Sequence, residues 1–218
     1  MQTVRVDIVS DVMCPWCYIG KKRLDLASQL LDGIQLDVHW LPFQLDGTLP
    51  KQGKPRADYL AEKFGGKERA QIAYSQIEET GAAMDIPFAF DLIEYSSNTL
   101  DAHRLIHWAE QEDLQNPMAE RLFQAYFLEG RNIGDDEVLA ELSGEVGLDD
   151  DEILDRLHTD LAKDIVKQQI SEAQKLGISG VPCFILGQKY AVMGAQEPET
   201  LAEAITRTAT EASAQAAS

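Results

Sequence analysis

Val4-Arg5-Val6-Asp7-Ile8-Val9-Ser10-Asp11-Val12-Met13-Cys14-Pro15-Trp16-Cys17-Tyr18-Ile19-Gly20 decides the fold, because it joins a β-branched run to a dithiol and then to the amphipathic stretch Lys21 to Leu31. The run from Val4 to Val9 reads as a buried strand, and Cys17 to Leu31 reads as a helix. Proline suits the first helical position: its fixed φ fits the helix, and its missing N–H has no partner to lose there. Cys14 is therefore expected at the helix N-terminus, where unpaired N–H groups and the positive end of the macrodipole favour a thiolate. Cys14 reads as the nucleophile. Cys17, one helical turn on and turned further into the protein, reads as the thiol that resolves a mixed disulfide. The competing readings are two small buried hydrophobes or half of a metal site. A zinc site needs further ligands, and His39, His103, His107 and His158 are scattered, so no metal is expected.

Working outward, Gln35 to Trp40 follows the Asp32-Gly33 break as a second strand, which completes a βαβ unit with parallel strands and a right-handed crossover. Asp46-Gly47, Pro50, Gly53 and Pro55 mark a boundary loop. Helical spacing then places helices near 57–64, 68–84, 99–112, 117–129 and 136–146, followed by a longer helical pattern from Asp150 to a Gly177 stop with a break midway. Val181 to Leu186 and Lys189 to Met193 read as strands around a two-residue Gly187-Gln188 turn. A last helix is expected over 198–208, and the Ala/Ser-rich tail from Thr210 is expected to fray. The division that follows is a sheet domain over 1–50 and 165–218, interrupted by a helical domain over 51–164.

The chain has 218 residues, 44% of them hydrophobic, enough for a packed core. Its net charge of −18, from 19 basic and 37 acidic residues, argues against nucleic acid and anionic membranes as partners. Met1-Gln2-Thr3 leads straight into the first strand without an apolar leader, so the expected location is the cytoplasm. Three cysteines there point to a catalytic dithiol with one extra thiol, not to a structural disulfide framework.

Four motifs in order resemble the FrnE-like branch of the DsbA-type dithiol oxidoreductases of the thioredoxin superfamily: Ser10 to Gly20, Ser97-Asn98-Thr99-Leu100-Asp101-Ala102-His103-Arg104-Leu105, Gly177-Ile178-Ser179-Gly180-Val181-Pro182 and Gly194-Ala195-Gln196. The resemblance spans nearly the whole chain. It implies an α/β thioredoxin-like fold with a large helical insertion. It implies a cis Val181-Pro182 peptide beside the dithiol, with the Val181 backbone free to pair with an extended substrate. It implies a disulfide reductase or isomerase with no bound cofactor, acting on disulfide-containing proteins or small thiols, with glutathione as a conceivable co-substrate. The alternative is a glutathione-dependent isomerase or transferase resembling 2-hydroxychromene-2-carboxylate isomerase and kappa-class glutathione transferases, which usually carry serine where Cys14 stands.

Two departures stand out. Thioredoxin and DsbA carry a buried acid six residues before the first cysteine, where this chain has Ile8; Asp11 is nearer in sequence but reads first as a turn residue. Trp16 replaces the histidine that DsbA has between its cysteines, which implies a less oxidising disulfide and offers an aromatic contact to substrate. Ser97 or Asn98 is placed to cap a helix, and His103 and Arg104 follow on it as a patch typical of the family that either anchors the helix or, with Asn98, lines the cleft opposite the dithiol. Cys183 is expected to be turned away from that cleft by strand alternation. The run Asp149 to Glu152 reads as a helix cap and not a calcium site.

Overall fold

A computed structural model describes residues 2–216. Its elements, in chain order, are β1 (Gln2–Ser10), α1 (Pro15–Gln29), β2 (Ile34–Pro42), β3 (Lys54–Pro55), α2 (Arg56–Phe64), α3 (Lys67–Ala82), β4 (Tyr95–Ser96), α4 (Leu100–Ala109), α5 (Gln115–Phe127), α6 (Asp136–Glu145), α7 (Asp150–Leu157), α8 (Lys163–Lys175), β5 (Cys183–Leu186), β6 (Tyr190–Met193) and α9 (Pro198–Ala216). The main sheet has the order β2-β1-β5-β6. β1 and β2 run parallel, as a βαβ unit requires, whereas β5 is antiparallel to both β1 and β6. This is the thioredoxin-like arrangement that the sequence predicts, with helices α2 to α7 between β2 and α8.

The period of two along β1 decides which layer each helix covers. Val4, Val6 and Ile8 join Phe184 and Leu186 in the larger core, with α1 and α9. Val9 faces the other way, into a smaller cluster with Phe43, Ala173, Ile178 and Cys183 beneath α8. Burying a side chain such as Ile8 or Phe184, both about 1% exposed or less, stabilises the fold by roughly 2 kcal/mol apiece.

Several boundaries differ from those the sequence suggests. The break expected within the helical pattern after Asp150 falls at residues 158–162, between α7 and α8. The two-stranded pairing of β3 with β4 carries no periodic signal, because each strand is two residues long. The last helix is longer than the expected 198–208: α9 continues to Ala216, and residues 217–218 of the tail lie outside the described part. The turn between β5 and β6 spans Gly187, Gln188 and Lys189, one residue more than expected. Gly187 and Gln188 both take positive φ, and the Lys189 N–H donates to the Leu186 carbonyl at 3.1 Å.

Candidate active site

Pro15 occupies the first position of α1 and Cys14 is its N-cap, with φ −93° and ψ 113° and no side-chain cap of its own. The Cys14 N–H donates to the Asp11 carbonyl at 2.9 Å, and the Cys14 carbonyl accepts from the Cys17 N–H at 3.0 Å. The dithiol turn is thus closed locally on both sides. Exposure hardly separates the two sulfurs' residues, at 4% for Cys14 and 1% for Cys17. Their surroundings do. The Cys14 thiol faces the Val181 carbonyl at 3.8 Å. The Cys17 thiol is held well above the ordinary cysteine range, first by burial and then by its hydrogen bond and charge interaction with Cys14, against the smaller opposing influence of the Ser10 hydroxyl and the Asp11 N–H.

The Val181–Pro182 peptide is cis. Gly20 is what brings this loop against α1: a Cβ there would stand 2.8 Å from Pro182 Cγ and 3.2 Å from Phe184 Cζ. On the other side, the Pro182 carbonyl accepts from the Gly194 N–H at 2.8 Å, and Gly194 turns at φ +79°. Arg23 of α1 reaches the Ala195 carbonyl and pairs with Glu197 at 2.6 Å. The Gly194-Ala195-Gln196 motif therefore fastens the Pro182 loop from beyond the sheet. Trp16, between the two cysteines, is half-buried against the larger core.

Asn98 caps α4 from just outside it: its Oδ1 accepts the Leu100 N–H at 3.0 Å and a hydrogen bond from Gln44 Nε2 at 3.1 Å, while its Nδ2 donates to the Leu49 carbonyl. His103 is 4% exposed, and its Nε2 lies 2.8 Å from the Phe43 carbonyl and 3.6 Å from Asp11 Oδ1. Both residues tie the loop after β2 to α4. Asp11 is completely buried, accepting from the Leu45 N–H at 2.7 Å and the Met13 N–H at 3.4 Å, which makes it a turn residue with long-range reach. Ile8 packs in the core where the wider family carries its acid. Cys183 sits opposite Val9 in the cluster under α8, on the sheet face away from Phe184 and Gly20, and burial raises its thiol. Asp149 caps α7 through the Glu152 N–H at 2.9 Å.

Arg104, in the same motif as Asn98 and His103, anchors its helix and does not line a cleft. Its guanidinium is fully buried, pairs with Asp101 at 2.7 Å, and donates to the carbonyls of Arg156, Leu157, Thr159 and Leu161 at 2.8–3.3 Å. Those carbonyls belong to the end of α7 and the linker to α8, more than fifty residues away. Sequence reasoning missed Glu120, which binds Lys21 and Lys22 of α1 at 2.8 and 2.6 Å and is held below the usual carboxylate range by those pairs despite its burial. The adjacent Tyr18 ring stacks on Phe123 of α5 at 5.2 Å.

A two-cysteine N-terminus of a helix, set against a cis-proline loop on a mixed sheet, defines a thioredoxin-fold dithiol protein. The chain belongs to the DSBA-like thioredoxin domain family, whose model matches residues 5–206. It is 33% identical to the probable DsbA oxidoreductase SCO1869 of Streptomyces coelicolor, whose crystal structure aligns at a TM-score of 0.85 over 94% of this chain and 89% of that one. It is 28% identical to the uncharacterized protein YwbO of Bacillus subtilis (strain 168), over 94% of this chain and 96% of that protein. The cytosolic disulfide reductase DsbM of Pseudomonas aeruginosa, solved with GSH, has 20% identity and a TM-score of 0.62 over 98% of this chain and 100% of that one, a likeness of fold. No helix of the described residues is long and apolar enough to cross a membrane.

Proposed function

We propose that this chain is a cytoplasmic thiol–disulfide oxidoreductase of the FrnE-like kind, working as a disulfide reductase or isomerase, with Cys14 as the attacking sulfur and Cys17 as the resolving one. The observation that carries this is the difference between two sulfurs one helical turn apart: Cys14 ends the helix beside the Val181 carbonyl, whereas Cys17 is buried and kept as a thiol. The Cys14 thiolate attacks a substrate disulfide and one substrate sulfur leaves as a thiolate. Cys17, once deprotonated, attacks Cys14 and releases the second substrate sulfur. Two electrons pass to the substrate, and a Cys14–Cys17 disulfide is left for a thiol to reduce.

Val181, Pro182 and Trp16 form the surface on which substrate would lie, and Asn98 and His103 hold the facing loop. Glutathione is a candidate for the re-reducing thiol, a reading to which the GSH-bound state of the DsbM structure lends support. A serine-type glutathione isomerase is less consistent with a full dithiol. Replacing Cys17 with alanine should leave substrates trapped on Cys14. Recovery of disulfide-linked proteins or glutathione from cells is the expected outcome. A Cys17→Ala protein that traps neither, with a parent that reduces no disulfide, would refute the proposal.

A further inference from the structure

Among the described residues three lysine or arginine side chains are buried: Lys21 at 8% exposure, Arg56 at 7% and Arg104 at 0%. A charge taken out of water is costly unless an opposite charge and hydrogen bonds go with it. Lys21 has Asp25 and Glu120 at 2.7 and 2.8 Å, and Arg104 has Asp101 at 2.7 Å. Arg56 is the exception. It forms no ion pair among the described residues, and its Nη2 is buried without a hydrogen-bond partner. With 37 acidic residues against 19 basic ones, carboxylates are not scarce in this chain.

Arg56 is the first residue of α2 and lines a cavity of about 490 Å³ between α2 and α3. Sites for small organic ligands commonly measure roughly 300–1,000 Å³. The guanidinium lies 4.7 Å from the Tyr74 ring centre and 5.4 Å from that of Phe90, and these two rings meet edge to face at 4.7 Å. Rings steady a cation through their faces but bring no net negative charge. The hydroxyl of Tyr126 is close enough to feel the charge, yet it is neutral and donates to the Tyr95 carbonyl at 3.2 Å. The charge of Arg56 is therefore left for something outside the chain to balance.

The remaining lining selects the occupant. Leu60, Ala61 and Ala70 join the two rings as apolar walls, which calls for an apolar body. The charged lining residues are Arg56, Lys67, Glu78 and Asp91, two of each sign. A single negative charge is matched by Arg56, whereas a doubly charged phosphate would also meet repulsion from Glu78 and Asp91. A carboxylate is planar, as the guanidinium fork is. We propose that the groove between α2 and α3 binds a small organic carboxylate, with its charged head on Arg56 and its apolar body against Leu60, Tyr74 and Phe90. The groove shares no lining residue with the dithiol turn or the Pro182 loop, so the inference does not rest on the function proposed above.

Benzoate, benzyl alcohol and inorganic phosphate serve as probes, titrated into the full chain and followed by proton–nitrogen NMR. Benzoate should shift the backbone amides of 56–61 and 70–75, and should bind at least about tenfold more tightly than benzyl alcohol, which has the ring without the charge. Phosphate should bind more weakly than benzoate. Arg56→Met removes the cation, and Ala61→Trp sets an indole in the groove while leaving Arg56 in place. Each variant, folded by circular dichroism, should weaken benzoate binding by at least about tenfold. Benzoate that binds no tighter than benzyl alcohol, shifts confined to other parts of the chain, or folded variants with the parent's affinity would each overturn the site. Phosphate binding tighter than benzoate would overturn the assignment of a carboxylate.

Discussion

Two helix ends in this molecule are treated in opposite ways. At the start of α1 the backbone N–H groups are left without a side-chain cap, and a sulfur is placed before them. At the end of α7 a buried cation, Arg104, donates to the Arg156 and Leu157 carbonyls and also holds Asp101. A helix terminus has unpaired polar groups by construction, so each end must be sealed, solvated or used. Sealing brings stability at the expense of reactivity. Leaving N–H groups for an anion keeps the end available for chemistry and leaves the fold to be held from elsewhere, here by Gly20 against Pro182 and by Glu120 against Lys21 and Lys22.

The largest expected effect lies at the sealed end. Arg104→Met keeps much of the side-chain volume but leaves Asp101 buried with Lys51, at 3.1 Å, and takes a donor from four carbonyls, of which Arg156's keeps the Thr159 N–H and hydroxyl. Breaking a buried pair in this way costs about 3–5 kcal/mol, and Arg104→Lys should recover little of it, because an ammonium cannot span so many acceptors in one plane. Urea denaturation measures this. A loss below about 1 kcal/mol for Arg104→Met would place the pair among the weak surface interactions and erase the contrast between the two helix ends.

This contrast also separates what the sequence discloses from what it hides. Pro15, the cysteine spacing and the valine run act within a few residues, so strand, turn and helix are readable in order. Asn98 as a cap and the alternation that turns Cys183 away follow from equally local rules. Arg104 is different. Its pairing with Asp101, three residues back, is local and readable, but the carbonyls it serves lie 52–57 residues downstream along the chain, and nothing near it in sequence names them. Asp11 reads locally as a turn residue and is one, yet its contacts with Leu45 and His103 arise only when the loop after β2 folds over it.

At the open end, Gly20→Ala tests how the reactive turn is positioned. Alanine gains about 1 kcal/mol in helix propensity, but its Cβ would stand 2.8 Å from Pro182 Cγ, and overpacking of that kind costs about 1–3 kcal/mol. The clash should win by a small margin in stability and more clearly in function, since α1 and the Pro182 loop would be pushed apart where Cys14 faces Val181. Disulfide reduction should slow several-fold while the far-ultraviolet spectrum is retained. Equal or faster turnover in Gly20→Ala would mean that the close approach of helix and loop does not set the reaction geometry.

The smallest effect is expected from the third cysteine. Cys183 is as buried as Cys17 and follows Pro182 directly, so proximity in sequence would enlist it in the chemistry. Strand geometry opposes this. Successive side chains point to opposite faces, and Phe184, not Cys183, lies under α1, while Cys183 packs with Val9, Phe43, Ala173 and Ile178 beneath α8. Its raised thiol has burial as its single cause, with no charged partner to poise it. Cys183→Ala removes one sulfur from an apolar cluster and should cost about 1 kcal/mol in stability, the usual scale for deleting a group of that size with partial relaxation. Disulfide exchange measured with Cys14 and Cys17 intact should be unchanged. A folded Cys183→Ala protein that had lost turnover would show that the two sheet faces are chemically coupled and that the open helix end draws on a third sulfur.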